Sequence, residues 1–448
     1  MSDKMKNHFI VNLPHDLYTA KQTRELDRIA SDDHHLSSSI LMQRAGAAAL
    51  DIIEHTWPEA KQLLILCGTG NNGGDGFELA RQAAANNYHV TVFQIGQDKA
   101  LTQNTAAAKQ ALITAGTIVQ SFAGVLPNND VIVDALFGTG LNRRIEGETK
   151  VIIDAINALT CPTILALDIP SGLHADTGNV LGCAIKATIT VSYIGLNIGL
   201  LTGHGSHYCG NIYFNALDTP PAIYQHFLPL ARRISLENDT ARLGPRDRSG
   251  HKGLYGHLLI IGGDHGMSGA ARLAAEAGAR VGAGLTTIAT RAAHAPLLNL
   301  TRPELMCHGV DNVDELTALL GVANALTIGP GLGQSSWSAA LFQKAINADL
   351  PMVIDADALN LLSDSKQRYD HWILTPHPGE AARMLNCTSM EVQADRVKAV
   401  QALQDIYGGI VILKGPGTII NNGKLPLRLA SCGNPGMSSG GMGDVLAG

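Results

Sequence analysis

Short, mostly apolar runs recur along the chain, and most of them end on or just before a glycine or an aspartate. In the first half these are Leu63-Leu64-Ile65-Leu66-Cys67, His89 to Ile95, Val131-Ile132-Val133-Asp134, Ile164 to Asp168 and Ala187 to Tyr193. In the second half they are Leu258 to Ile261, Leu285 to Ala289, Ala325 to Ile328, Met352 to Asp355, Trp372 to Leu374 and Ile410 to Leu413. Apolar runs without polar alternation predict strands buried on both faces, as in parallel sheets. Helical stretches separate them. Asp16 to Leu50 carries Leu26, Ile29, Leu36, Ile40 and Leu41, then the small-residue run Ala45 to Ala49; Phe77 to Ala85 and an Ala-rich stretch to about Arg280 follow the same habit. Strand and helix alternate through both halves, which predicts two α/β domains in succession. Leu217 to Leu230 has no clear period and sets the boundary, giving domains 1–228 and 229–448, with Arg242 to Gly253 as a basic lead-in to the second.

The loops after these strands hold the chemistry. Gly68 to Gly76 lies between a strand and a helix, an arrangement that cradles phosphates. Gly68, Gly70 and Gly73 satisfy G-x-G-x-x-G, but the next strand ends Gln94-Ile95-Gly96 with no acid before Asp98. An ordinary dinucleotide dehydrogenase needs that acid for its ribose, so the motif argues against one. Asn71, Asn72, Gly73, Gly74 and Asp75 add side-chain oxygens to backbone amides, which suits a cation beside a phosphate. Asp134 and Asp168 each end a strand and run into glycine-bearing loops, Gly138 to Arg144 and Ser171-Gly172. One such aspartate is as readily a helix cap. Asp75, Asp134 and Asp168, with Asn72 and Ser171, should gather at the carboxyl edge of a parallel sheet, where ligands bind.

In the second half the same positions carry Gly262 to Ala270, Gly329 to Gly333, Asp355 to Asn360, Thr375 to Glu380 and Lys414 to Thr418. Gly433 to Asp444 is too rich in glycine for a strand or helix interior. It reads as a loop whose amides face an anion, with Asp444 at the rim as a base for a substrate hydroxyl.

Composition narrows the choice. A net charge of −6 over 448 residues gives no reason to expect nucleic acid or an anionic membrane as partner. The seven cysteines are scattered singly with no C-x-x-C pair, which favours free thiols in a reducing compartment, the cytoplasm, over a zinc site. Met1 to Leu13 has no apolar signal core, and no run is long enough to span a membrane.

Gly440-Gly441-Met442-Gly443-Asp444 resembles the G-x-G-D signature of ribokinase-like enzymes, whose glycine amides hold a transferred phosphate and whose Asp is the base. Residues 15 to 220 resemble the NAD(P)H-hydrate epimerase family, and Arg242 onward resembles the ADP-dependent NAD(P)H-hydrate dehydratase family. The fold class implied is a Rossmann-like three-layer parallel sheet followed by a ribokinase-like three-layer α/β domain. The first resemblance implies that Asn71, Asn72, Gly73, Gly74, Asp75, Gly138, Thr139, Gly140, Leu141, Asn142, Arg143 and Arg144 hold the hydrated dinucleotide. It also implies that Asn72, Asp134 and Ser171 ligate K+, and that Asp168 touches substrate and moves the proton. Asn197 stands where that family is expected to carry Lys. The second implies that Ala270, Gly333 and His377 contact the substrate. Lys414, Gly415, Pro416, Gly417, Thr418 and Gly443 would hold ADP with Mg2+, and Asp444 would act on the substrate hydroxyl. The implied activity is epimerisation of hydrated NADH and NADPH (NADHX and NADPHX) and ADP-dependent dehydration of the S epimer, with assembly as a homo-oligomer of unspecified size.

His377-Pro378-Gly379-Glu380 has His where vitamin kinases of the ribokinase type carry Asn in N-x-x-E, which argues against simple kinase activity. A vitamin or sugar kinase with an accessory domain, and a first domain that only binds dinucleotides or a protein partner, are the competing readings. Only Val445 to Gly448 follow Asp444, so the chain is expected to be a C-terminally truncated form with a weakened dehydratase.

Overall fold

A computed structural model describes residues 13–235, 239 and 244–448. The polar stretch up to Asn12 and Arg242, at the start of the basic lead-in, lie outside the described residues. The chain divides into two compact units, Met1–Arg233 and Ile234–Gly448.

The first unit is built on a seven-stranded sheet ordered β4-β3-β2-β5-β6-β7-β8, parallel throughout. Its strands are β2 (Gln62–Cys67), β3 (His89–Gln94), β4 (Val119–Ser121), β5 (Val131–Ala135), β6 (Ile164–Leu167), β7 (Ile189–Tyr193) and β8 (Asn211–Asn215). A short antiparallel pair, β1 (Asp16–Leu17) and β9 (Ala231–Arg233), joins the unit's two ends. Because side chains alternate across a strand, each run feeds two cores. Leu63, Ile65, Cys67, Val131, Val133, Leu165 and Leu167 pack against helices α1 (Ala20–His34), α2 (Ser38–Thr56) and α3 (Asn71–Ala85). Leu64, Leu66, Ile132, Ile164 and Ala166 pack against Ile152, Ile153 and Ile156 of the helix Gly147–Asn157. The strand order reverses between β2 and β5, so the loops after β2, β5 and β6 border one crevice.

Three local expectations change. Asp16–Leu17 is a strand, and the helical region breaks between His34 and Ser38. The loop Gly68 to Gly76 is shorter than its glycines suggest: α3 begins at Asn71, with Gly70 as its N-cap. The aperiodic stretch after Asp218 is part of the first unit's body. Ile223 is buried, and Tyr224 and Phe227 have ring centroids 6.3 and 6.2 Å from that of Tyr18.

The second unit has strands β10 (His257–Ile261), β11 (Leu285–Thr290), β12 (Met306–Gly309), β13 (Ala325–Ile328), β14 (Met352–Ile354), β15 (Trp372–Leu374), β16 (Ile410–Leu413), β17 (Thr418–Asn421) and β18 (Leu427–Ala430). They follow the order β18-β17-β16-β15-β14-β13-β10-β11-β12. Pairing is parallel from β12 to β16, and β17 and β18 add antiparallel. The expected wholly parallel sheet is therefore mixed. Its order reverses between β10 and β13, which places the Gly262 and Gly329 loops at the switch point. Among the described residues, no helix is long and apolar enough to cross a membrane.

Candidate active sites

In the first unit the loops enclose a cavity of about 670 Å³. Asn71, Asn72, Asp75, Gly138, Thr139, Gly140, Leu141, Asn142, Arg143 and Asp168 line it. No side chain caps α3, so its first-turn amides stay available to an anion. Gly73 and Gly74 lie behind this wall. A Cβ on Gly73 would stand 2.0 Å from the Gly68 carbonyl oxygen, so only glycine lets the helix start this close to the strand end. Arg144 does not line the cavity; its side chain lies against Gly182.

Asp168 follows β6 in a left-handed conformation, φ 65°. Its Oδ2 accepts from the Thr139 amide at 2.8 Å, and a Cβ on Gly138 would meet that oxygen at 2.5 Å. Burial raises the Asp168 carboxyl to about 6, against the pull of the Thr139 hydrogen bonds. Asp75 is raised well above the usual range by burial and then by Asp168 and Asp27. Both are half-buried by area because they face the cavity.

Beneath this wall, Ser171 Oγ–H and N–H donate to Asp134 Oδ1 and Oδ2 at 2.6 and 2.7 Å. The Leu136 amide adds a bond at 3.2 Å. Burial raises Asp134 to about 6, and these bonds hold it from going higher. Asn72 is 7% exposed, and neither its Oδ1 nor its Nδ2 has a partner. Its Cβ lies 3.4 Å from where a Gly138 Cβ would stand. An unpartnered buried amide, a carboxylate and a hydroxyl are oxygen donors of the kind that suit a hard monovalent cation and not zinc. Among the described residues no three His, Cys, Asp or Glu side chains are placed to hold a metal together.

Sequence reasoning missed the contribution of α1, whose Thr23, Arg24, Asp27 and Arg28 line the same cavity. Nothing local marks this face, because a polar helix face is ordinarily a solvated one. Asn197 is buried outside the lining. Its Nδ2 donates to Thr23 Oγ1 at 3.1 Å, and its Oδ1 has no partner.

In the second unit the centre is Lys414, whose Nζ donates to Asp355 Oδ1 at 2.7 Å and lies 3.8 Å from Glu380 Oε2. A Cβ on Gly443 would stand 3.5 Å from that Nζ. Burial and then Asp355 raise the Asp444 carboxyl, with Lys414 pulling it down. Gly333 donates its amide to Asp357 Oδ2 at 2.8 Å and lies against Asp264, whose Oδ1 accepts from Arg291 at 2.7 Å. Ala270 packs beside Gly331 of the same loop. His377 caps the helix Pro378–Leu385, its Nδ1 accepting from the Gly379 amide at 2.9 Å, while its Nε2 stands 3.5 Å from Glu380. Thr418 Oγ1 closes the loop by donating to the Gly415 carbonyl at 3.0 Å. Arg396 braces it from below through the Lys414 and Gly417 carbonyls. Asp355 and Asp357 follow β14 in a strand-end segment that the sequence singled out, although no role was given there to either carboxylate.

The family model described as YjeF-related protein N-terminus matches residues 38–199, and that for NAD(P)H-hydrate dehydratase matches 258–448. A bifunctional NAD(P)H-hydrate repair enzyme from Coxiella burnetii is 45% identical over 96% of this chain and 88% of its own length. That of Escherichia coli is 42% identical over 100% of this chain and 87% of its own. A solved ADP/ATP-dependent NAD(P)H-hydrate dehydratase from Bacillus subtilis is 32% identical over 48% of this chain and 77% of its own, with a TM-score of 0.43. With relatives this similar across nearly its whole length and both family models matched, the chain belongs to the bifunctional NAD(P)H-hydrate repair enzymes.

Proposed function

We propose that Asp168 carries the proton transfer of NAD(P)HX epimerisation in the first unit, and that Asp444 starts the ADP-dependent dehydration of the S epimer in the second. The first reading is supported by the convergence of Asp168, Asp75 and the uncapped start of α3 on one dinucleotide-sized cavity. Asn71, Asn72 and the Gly138 to Arg143 loop hold the dinucleotide there. Asn72, Asp134 and Ser171 are the residues that would hold K+, which when bound supplies positive charge beside the substrate phosphates.

In the second unit Asp444 removes the proton of the C6 hydroxyl, and the oxygen attacks the β-phosphorus of ADP. The bond from that phosphorus to the bridging oxygen breaks, and AMP leaves. Phosphate then departs with the C6–O electrons while the ring nitrogen's pair forms N1=C6, and loss of a C5 proton gives the C5=C6 bond of NADH. Hydroxide is a poor leaving group at neutral pH and phosphate a good one, which is the reason to spend ADP. Lys414 and the Lys414 to Thr418 loop hold the nucleotide, and the Gly440 to Gly443 amides meet the developing charge, each well-aimed amide being worth about 10²–10³ in rate by analogy with oxyanion donors. Ala270, Gly333 and His377 contact the nicotinamide half. Mg2+ would be held by the nucleotide phosphates beside the Lys414 to Thr418 loop and would supply positive charge there. The seven scattered, singly spaced cysteines are the reason to place the chain in a reducing, cytoplasmic setting. Retained dehydration in Asp444→Asn, measured as ADP-dependent return of absorbance at 340 nm from the S epimer, would overturn the role of Asp444.

A further inference from the structure

We propose that Asp27 of α1 is a second catalytic residue of epimerisation, passing a proton to the ring nitrogen while Asp168 takes one from the C6 hydroxyl; this rests on the epimerase reading of the first unit. The cavity wall contributed by α1 consists of Thr23, Arg24, Asp27, Arg28, Ser31 and Asp32. These positions recur at helical spacing, so one face of the helix is turned to the cavity. The opposite face, with Leu26, Ile29 and Ala30, is buried in the core and fixes that orientation.

The acids on this helix differ. Arg28 engages Glu25 at 2.7 Å and Asp32 at 2.8 Å. Asp27 accepts no hydrogen bond and forms no ion pair among the described residues, although it lines the cavity with Asp75 and Asp168. Asn72 and the uncapped first turn of α3 border the same cavity. Crowding by the surrounding protein and the Asp168 carboxylate push the Asp27 carboxyl upward, by less than full burial would because Asp27 stays exposed at the cavity mouth. What carries the assignment is position: a partner-free carboxyl on the α1 face stands across one cavity from Asp168, and acid–base work on one ring needs two such groups.

Inversion at C6 needs a bond to that carbon to break and re-form on the other face. Asp168 takes the hydroxyl proton, and the O–H electrons become the second C6–O bond. The C6–N1 electrons move onto N1, which takes the proton of Asp27. Rotation about C5–C6 and the reverse steps close the ring as the other epimer and return both carboxyl groups to their starting states. Nothing is consumed, so no nucleotide is needed in this unit.

The test is epimer exchange, followed by chromatography of NADHX, in the full chain and its Asp27→Asn and Asp27→Glu variants, with ADP-dependent dehydration as the internal control. The proposal expects Asp27→Asn to lower kcat by about 10² or more, with KM within about threefold and dehydration unchanged. It expects Asp27→Glu to recover at least about tenfold of that loss, or about 1.4 kcal/mol. Exchange within about threefold of the parent in Asp27→Asn would overturn it, as would equal losses in the two variants, which mark a packing role. A parent chain that exchanges no epimers refutes the epimerase reading itself.

Discussion

Asp168 is held in a left-handed turn, against a glycine that leaves no room for a side chain. Aspartate tolerates that region better than most residues, and strain of this kind collects at working sites. Asp168→Asn keeps the shape and removes the charge. It should lower epimerisation by about 10²–10⁴ and leave dehydration unchanged; exchange within about threefold of the parent would show that the proton moves elsewhere. The carboxyl is raised to about 6 by burial, so the base is lost as pH falls through about 6, and epimerisation should fall on that side. The linked stability has the opposite sense. A raised carboxyl favours the folded state while protonated, so its contribution is fully present below about pH 4 and is lost as pH rises through about 6. Thermal unfolding of the first unit in potassium-free buffer, measured from pH 4 to 7, should show that decline. Asp168 was legible because it ends an apolar run beside a glycine loop. Asp27 was not, because its place in the cavity comes from how α1 packs, which no local pattern records.

At the level of elements, the start of α3 carries the site. Asn71, Asn72, Gly73 and Gly74 are weak helix formers, so the sequence reads as a long loop. Packing overrides that preference. Gly74 lies against Met42 and Gly46 against Leu79, which lets α2 close on α3. The Gly73→Ala variant should lose about 1–3 kcal/mol and most epimerase activity, because its Cβ falls on the Gly68 carbonyl. An unchanged unfolding midpoint would show that the loop shifts freely and that the helix start is not fixed as described. Cation dependence belongs to the same element. Replacing K+ with tetramethylammonium should weaken epimerisation or substrate binding, since the Asn72 amide is left unpartnered; no change would count against Asn72, Asp134 and Ser171 as its ligands. The antiparallel β17 and β18 escaped sequence reading because neither is an unbroken apolar run: Thr418 and Asn421 bound the first, Arg428 interrupts the second, and each follows a turn-rich segment.

On the scale of the molecule, two α/β units follow one another, each with its candidate site residues in loops at the carboxyl ends of its parallel strands. That organisation was legible, because apolar runs ending in Gly or Asp recur in both halves and a parallel sheet gathers such ends at one edge. A fragment of residues 1–233 should exchange NADHX epimers with kcat within about threefold of the full chain, and its failure to do so would tie the first activity to the second unit. The most direct test of the whole account supplies the full chain with mixed R and S NADHX, with and without ADP, and follows both epimers, NADH and phosphate by chromatography. The account predicts that the epimers exchange without ADP and no NADH forms. With ADP, both epimers drain to NADH, with one AMP and one phosphate per NADH. A phosphorylated dinucleotide that accumulates, or an R epimer left untouched while the S epimer is consumed, would contradict it.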